Sequence, residues 1–576
     1  MSLLNDKIRR IQGVVLLSLI VLVPFVLQAA NQDKRLVLQQ SKELTGRVDR
    51  PVRPVKNVIL LIPDGTSLAT VSAARWYQWL LNPDKPVLFI DPYLCGTVRT
   101  NSINAPIGDS APTTSTYMTG ELSRTGFVAT YPPADGANDI FKVDSTKAYQ
   151  PLMTVLEASR LLYGKSVGLA FTCEFPHATP ADCSSHDYSR GNYDNITKQM
   201  AHNQLDVVLG GGTSFLKAED RDFLKENGYT VQFDDLNGLR TFKGNKLWSL
   251  FGSREISFDL DRDTLKEPSL AELAGKAISI LSQNKKGFFL MVEGSKVDWA
   301  AHANDPIGMM TEFLSFDRAC KVALDFAKKD GNTAVIIVPD HGNSGISIGT
   351  SRMPGYDKLT KNQLFGPSLK VKKTSVGLAD LLIKSPYAQR DSLFLANTGF
   401  ELSEADKRLI DSMKEYTPSP VPVALRTVGG LSSYLNKVLT ARSCFGFTTT
   451  GHTGEEVFLA NYHPKGDIFK GVHYGFEVND YLCSLLKLDG KLPELTKQYF
   501  AKHTDVFRGM NCSIKSPTSE AKAELTVTSG TNRLVLRQNS NVATLNGKDL
   551  QLSTVVVYVD KNQTFYLPTY LAERMK

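Results

Sequence analysis

The stretch Phe288-Phe289-Leu290-Met291-Val292-Glu293-Gly294, continuing through Ser295-Lys296-Val297-Asp298-Trp299-Ala300-Ala301-His302, decides the fold. Its five leading residues are all apolar and lack the alternation of a half-exposed strand. Such a run fits a parallel strand buried on both faces. An acid, Glu293, follows at once. Asp298 and His302 then stand four apart, so on a helix both point to one side and can hold the same ion.

The same pattern recurs along the chain. The apolar run 58–62 leads into Pro63-Asp64-Gly65, and the run 334–338 leads into Pro339-Asp340-His341-Gly342. Further runs lie at 167–170 and 207–209, with helically spaced stretches such as 270–283 between them. Strands alternating with helices predict an α/β fold, doubly wound, with a mostly parallel sheet sandwiched by helices. In open sheets of this kind, sites form beyond the carboxyl ends of the strands. Three strands therefore deliver acids, two of them with histidines nearby, to one edge. Gly210-Gly211-Gly212 is no dinucleotide fingerprint, because no G-x-G-x-x-G follows a strand there.

Two more segments add chemistry. Ser110 lies in Gly108-Asp109-Ser110-Ala111, and His452 lies in a loop of small residues, Thr449-Thr450-Gly451-His452-Thr453-Gly454. Ser110 reads both as an N-cap serine opening a helix and as a nucleophile. The two are compatible, since a helix N-terminus also favours a bound phosphate. A phosphate monoester is an anion that repels anionic attackers, so its hydrolysis depends on positioning and charge neutralisation. A serine activated by divalent cations, with Asp, Glu and His to hold them, is suited to that task.

These segments and their order resemble the alkaline phosphatase family from about residue 58 to residue 488. The resemblance implies phosphomonoester hydrolysis at alkaline pH through a phosphoserine, with two zinc ions and one magnesium ion. It implies that Ser110 is the nucleophile. Asp298, His302 and His452 would hold the first zinc, which receives the leaving oxygen and later activates water. Asp340 and His341 would hold the second zinc, which ionises Ser110. Asp64 would bridge that zinc and the magnesium, with Thr179 and Glu293 completing the magnesium site. Arg190 matches the arginine that clamps phosphate through two hydrogen bonds.

Two positions near the substrate vary across the family. His177 stands where some members have aspartate, and Trp299 where others have lysine or histidine. Imidazole in place of an acid weakens a magnesium site, so this pairing predicts faster phosphate release and a greater need for added magnesium. The resemblance also implies a homodimer acting on small phosphomonoesters. Other readings are a phosphodiesterase or sulfatase of the same superfamily, and a non-catalytic phosphate- or surface-binding protein. Ser110-Ala111-Pro112-Thr113-Thr114 has the proline but not the arginine of a sulfatase motif. A diesterase commonly uses threonine and would lack the Arg190 match, and a binding protein would need no nucleophile. His186, His202, His463, His473 and His503 are read as non-ligands, His473 being the nearest to a family segment at the site entrance.

The chain of 576 residues is 42% hydrophobic and carries a formal charge of +7. That suits a large globular core, and without a basic run interleaved with aromatics it excludes nucleic-acid binding as the primary function. Lys7, Arg9 and Arg10 precede an apolar run at 14–27, followed by Ala29-Ala30. Residues 1–30 are therefore read as a cleaved secretory signal in preference to an uncleaved membrane anchor, since the run is short for a span. Either reading places the protein in the periplasm or outside the cell, with a membrane tether if the segment is retained. Residues 31–54 are polar and basic and read as a linker.

The main domain is expected over 55–515, with an insertion at about 349–447 that loses the strand–helix rhythm and includes Pro418, Pro420 and Pro422. Residues 524–576 read as a small β-rich domain with turns at Ser529-Gly530 and Asn546-Gly547. Its ending, Thr564-Phe565-Tyr566-Leu567-Pro568, resembles the N-terminal-like module of copper amine oxidases, without copper ligands. Seven cysteines, an odd number, leave at least one unpaired in a monomer. Cys173 and Cys183 flank His177 and read equally as a bridge or as two buried thiols.

Overall fold

Asn57–Pro63 forms the central strand β1, and every one of its residues is buried. The computed structural model describes residues 51–353, 355–412, 430–518 and 521–576. The N-terminal segment 1–30, most of the linker and Pro418, Pro420 and Pro422 lie outside the described residues.

The strands that follow are β2 (Leu94–Arg99), β3 (Ser166–Glu174), β4 (Val207–Gly211), β5 (Thr230–Phe233), β6 (Leu247–Phe251), β7 (Phe288–Gly294) and β8 (Thr333–Ile337). Four two-residue strands come next: β9 (Gly342–Asn343), β10 (Ser347–Ile348), β11 (Phe445–Gly446) and β12 (His452–Thr453). β13 (Val457–Tyr462) and β14 (Gly471–Tyr474) complete a ten-stranded sheet of order β14-β2-β13-β8-β1-β7-β3-β4-β6-β5. β13 pairs antiparallel with both its neighbours, and every other pairing in the sheet is parallel.

The apolar runs explain this arrangement. A strand whose consecutive residues are all apolar must be covered on both faces. Helices Leu68–Leu81, Leu270–Leu281 and Pro306–Asp330 pack as one group, and Ser110–Thr119, Val155–Tyr163 and Gly475–Leu486 as another. Ile59, Leu60, Leu61, Phe289, Leu290, Val335 and Ile336 are completely buried between them. Truncating one such leucine or isoleucine to alanine costs about 2–5 kcal/mol. The longest of these helices shows its start and stop signals plainly. Asp305 caps it by accepting from the amides of Ile307 and Gly308, Pro306 opens it, and Gly331 ends it at φ +70°.

Residues 349–447, where the strand rhythm fades, are mainly helical where described. They include Ser375–Lys384, Arg390–Thr398 and Leu431–Thr440. At the C-terminus, β15 (Ala501–Lys502) and β16 (Asn511–Lys515) precede β17 (Glu524–Ser529), β18 (Asn532–Arg537), β19 (Val542–Leu545), β20 (Lys548–Gln551), β21 (Val557–Val559) and β22 (Thr564–Leu567). Strands β16 to β20 form an antiparallel meander whose first strand comes before residue 524. Period-two alternation divides residues 556–559, which include β21, between two cores. Val557 and Val559 join the main core, while Val556 and Tyr558 join a second core with Leu525, Leu534 and Phe565.

Candidate active site and metal centre

β7, β1 and β8 are neighbours at the centre of the sheet. Parallel register sets Ile62 opposite Glu293 and Pro63 opposite Gly294, so Asp64 emerges beside the end of β7. Asp340 and His341 leave β8 at the same edge. All four side chains are fully buried. The helix Lys296–His302 starts directly after β7 and brings Asp298 and His302 to the cluster, as their spacing requires. His452 is on β12, a short strand rather than an irregular loop, and β12 pairs with β9 just after His341.

Four groupings of ligand atoms result among the described residues, one of which, Asp109, His341 and His452, shares its histidines with two of the others. Of the other three, Asp298, His302 and His452 form the first, Asp64, Asp340 and His341 the second, and Glu293, His177 and Cys173 the third. In the first, His302 Nε2 is 3.4 Å from Asp298 Oδ2 and 3.2 Å from His452 Nε2. Three of the four clustered histidines place Nδ1 on a main-chain carbonyl, while Nδ1 of the fourth, His177, is buried without a hydrogen bond. His302 meets Thr450 at 2.6 Å, His452 meets Gly108 at 3.0 Å, and His341 meets Gly342 at 3.1 Å. In the neutral tautomer that donates from Nδ1, Nε2 keeps an electron pair for a cation, which His302 gains once its second proton is displaced. His341 Nε2 faces Asp64 Oδ1 at 3.3 Å and Asp340 Oδ2 at 3.5 Å.

The carboxylates need positive charge that the described side chains do not fully supply. Both oxygens of Asp64, Asp340 Oδ2, Glu293 Oε1 and Thr179 Oγ1 are buried without a hydrogen bond. Burial and the neighbouring Asp340 push the Asp64 carboxyl well up, and the same causes push Glu293 up to about 8. Burial would also raise Asp298, but His302, His452 and His341 hold it well below the usual range. His302 is raised to about 9, because the Asp298 carboxylate outweighs burial. Buried acids with orphaned oxygens, facing histidine electron pairs, fit divalent cations, whose binding displaces such protons.

One glycine makes the cluster possible. Gly65 has φ +62°, and a Cβ there would come within 2.3 Å of Asp298 Oδ1. Gly65→Ala is therefore expected to displace Asp298, lowering kcat about a hundredfold and reducing bound metal per chain. Activity assays and elemental analysis check this.

Ser110 opens the helix Ser110–Thr119, all of whose residues are buried, and Asp109 is its N-cap. The Ser110 hydroxyl is 3.4 Å from His341 Nε2, so it lies against the second grouping. Arg190 donates to Asp109 Oδ1 at 2.6 Å and places Nη2 3.1 Å from His177 Nε2. Asp109 would be raised by burial, but Arg190, His341 and His452 hold it below its ordinary value. Burial, then Arg190, lowers His177 to about 4, so its ring is neutral. Trp299 is buried, with its ring centroid 6.2 Å from that of His177.

Eleven of the twelve candidate residues are thus linked at one edge of the sheet, and Thr179 lies on the short helix Ala178–Ala181 that follows His177. Three contributors had no role assigned from sequence. Asp109 joins Ser110 to Arg190, and its place just before the helix-opening serine was the signal. Asn343 donates to Asp298 Oδ1 at 2.6 Å, and the Cys173 thiol donates to Glu293 Oε2 at 3.3 Å. Neither carries a sequence signal. Cys173 and Cys183 are separate buried thiols. His186 pairs with Glu157, His202 with Asn541, His463 with the Arg53 carbonyl, and His503 with the Phe565 amide. His473 stacks on Phe469, and none of these five joins a ligand grouping among the described residues.

Known proteins resemble this chain in sequence and in fold. The family model described as alkaline phosphatase matches residues 55–488. The chain is 33% identical to alkaline phosphatase 4 of Bacillus subtilis, covering 78% of this chain and 92% of that one. It is 28% identical to the repressible alkaline phosphatase of Saccharomyces cerevisiae, over 78% and 85% of the two chains. A crystal structure of a cold-active alkaline phosphatase from a psychrophilic Shewanella superposes with a TM-score of 0.64 at 27% identity, covering 75% and 99% of the two chains. A central sheet that gathers acids, histidines and a helix-opening serine at one edge, and a match running through all of them, place this chain in the alkaline phosphatase family, metal-dependent enzymes that hydrolyse phosphate monoesters.

Proposed function

We propose that this chain hydrolyses phosphate monoesters at alkaline pH by double displacement through a phosphoserine at Ser110, using two zinc ions and one magnesium ion. The observation that carries this reading is the Ser110 hydroxyl at 3.4 Å from His341, beside buried carboxylates with orphaned oxygens. Asp298, His302 and His452 would hold one zinc, and Asp340 and His341 the other. Asp64 would bridge the second zinc and the magnesium, with Glu293 and Thr179 completing the magnesium site. A variant of an alkaline phosphatase from an Antarctic bacterium, similar in fold, has been crystallised with magnesium bound. Bound divalent cations supply positive charge to the phosphoryl oxygens and lower the pKa of an oxygen they hold.

The chain's own groups do the rest. The helix N-terminus at Ser110 adds favourable partial charge for the phosphoryl group. Arg190, preset by Asp109 and His177, offers two parallel donors to phosphate oxygens. Ser110 Oγ gives up its proton and forms a bond to phosphorus as the phosphorus–oxygen ester bond breaks, and the departing oxygen takes up a proton to leave as the alcohol. Water then breaks the Ser110–phosphorus bond, releasing inorganic phosphate and restoring the hydroxyl.

The test is hydrolysis of a chromogenic phosphomonoester at alkaline pH, beside the matching diester and sulfate ester, on metal-stripped protein with zinc and magnesium added back. Fast monoester cleavage needing both metals supports the reading. Preference for the diester or the sulfate ester would overturn it.

His177 gives a second expectation. A neutral imidazole beside Glu293 brings less charge to a cation than a carboxylate would. His177→Asp is expected to lower the magnesium concentration needed for half-maximal activity about tenfold and to tighten phosphate inhibition. A magnesium titration and the phosphate inhibition constant check this, and no change in either would refute it.

The reading extends to a homodimer acting outside the cytoplasm on small phosphomonoesters. Support comes from the family and from the basic-then-apolar N-terminal segment. Among the described residues, no helix is long and apolar enough to cross a membrane.

A further inference from the structure

The segment 186–195 carries Arg190, and a residue far along the chain holds both its ends. Asn539 lies in the turn between β18 and β19, in the left-handed region at φ +64°, and is 1% exposed. Its Nδ2 donates to Asn195 Oδ1 at 3.0 Å. Its Oδ1 accepts from Gln199 Nε2 at 3.1 Å. Gln199 in turn accepts from the His186 amide at 2.7 Å and donates to the His186 carbonyl at 2.9 Å.

Between these ends, Asp187 organises the turn. It accepts from the Ser189 amide at 2.9 Å, Asn192 Nδ2 at 2.7 Å and Asn195 Nδ2 at 3.1 Å. Lys522, also from the C-terminal part, donates to Asn195 Oδ1 at 3.0 Å. Packing does not replace these bonds, because a cavity of about 580 Å³ lies in the same seam. Asp187, Asn192, Asn195, Lys522, Gln538 and Tyr558 are among its lining residues. The family match ends at residue 488, so Lys522 and Asn539 lie outside it.

We propose that Asn539 is a positioning residue for the phosphate clamp. It ties both ends of the Arg190 segment to the C-terminal sheet and so presets the guanidinium. A buried amide with both its ends engaged adds to the main-chain bonds that already hold the middle of the segment, where Asp187 pairs with Val128 and the Arg190 amide donates to the Gly126 carbonyl at 2.7 Å. Displacement of a substrate-positioning group by about 1 Å is enough to weaken binding by one to two orders of magnitude. The proposal rests on Arg190 being the phosphate clamp.

The test uses the full-length, metal-loaded protein. Asn539→Gly removes the amide while allowing the same backbone conformation. Expected results are a rise of about tenfold in KM and in the inhibition constant of inorganic phosphate, kcat lowered by less than twofold, and unchanged metal content. In an Arg190→Ala background the Asn539→Gly effect should vanish, as coupling requires. Lys522→Ala, at an exposed position, should shift both constants in the same direction by about twofold to threefold, and it serves as the test if Asn539→Gly does not fold. Unchanged constants in the folded variant, or an undiminished effect without Arg190, would overturn the proposal. Failure of the clamp reading shows separately, as Arg190→Ala leaving the phosphate inhibition constant unchanged.

Discussion

Ser110→Ala lowers kcat for phosphomonoester hydrolysis by roughly 10⁴-fold or more, the scale on which removal of a nucleophile acts. The hydroxyl makes one side-chain contact, the 3.4 Å approach to His341, and caps nothing. The helix start depends instead on Asp109, which accepts from the Ser110 amide at 3.0 Å. Thermal stability therefore changes little, by about 1 kcal/mol or less. The metal groupings are left whole, so metal content stays the same. Labelled phosphate trapped by acid quenching should appear on the unaltered chain and be absent from the variant. Residual activity within tenfold of the parent, or a trapped phosphoryl group that survives the substitution, would show that another group attacks.

Removing the metals abolishes turnover and destabilises the fold together. Asp64, Glu293, Asp298 and Asp340 are buried acids in one cluster, and several of their oxygens have no donor. Each cation held at a thousandfold over its Kd contributes about 4 kcal/mol of stability, which chelation withdraws. The stripped protein also acquires a pH dependence. Glu293 is raised to about 8, above the ordinary carboxyl value, so its folded form holds a proton that the unfolded form has lost. Its contribution is full below the unfolded pKa and disappears as pH rises through about 8. The melting temperature of stripped protein should fall between pH 5 and pH 9, and zinc with magnesium should restore it. A melting curve indifferent to chelator at alkaline pH would refute the metal reading.

Asp340→Asn separates these effects. The amide keeps an acceptor for the Gly65 and His341 amides, both 3.0 Å from Oδ1, while the charge is lost. It should bind less metal. Because the Asp340 charge is one cause of the raised Glu293 carboxyl, its metal-free form should lose less melting temperature between pH 5 and pH 9 than the stripped parent. Elemental analysis and melting curves check both.

Much of this site is legible in the sequence, because its signals are local. An apolar run ending in an acid is a strand delivering a ligand to a sheet edge, and that reading located Asp64, Glu293 and Asp340. Four-residue spacing on a helix paired Asp298 with His302. The insertion was less legible, because its short amphipathic helices lie among residues with no strong period. Asn343 and Cys173 were invisible, since an asparagine or a cysteine next to a ligand looks like any other.

The chain by itself determined the fold class, the edge at which the site forms and the residues able to hold cations, because hydrophobic period and residue chemistry are written in consecutive positions. Tertiary structure alone decided which candidate ligands lie together, which carbonyl each of His302, His341 and His452 meets and what holds Arg190. His452 takes its orientation from the carbonyl of Gly108, 344 residues earlier, and Asn195 accepts from Asn539, 344 residues later. Hydrogen bonds act over about 3 Å, so only the folded chain, which brings such distant residues within reach, determines which of them act together.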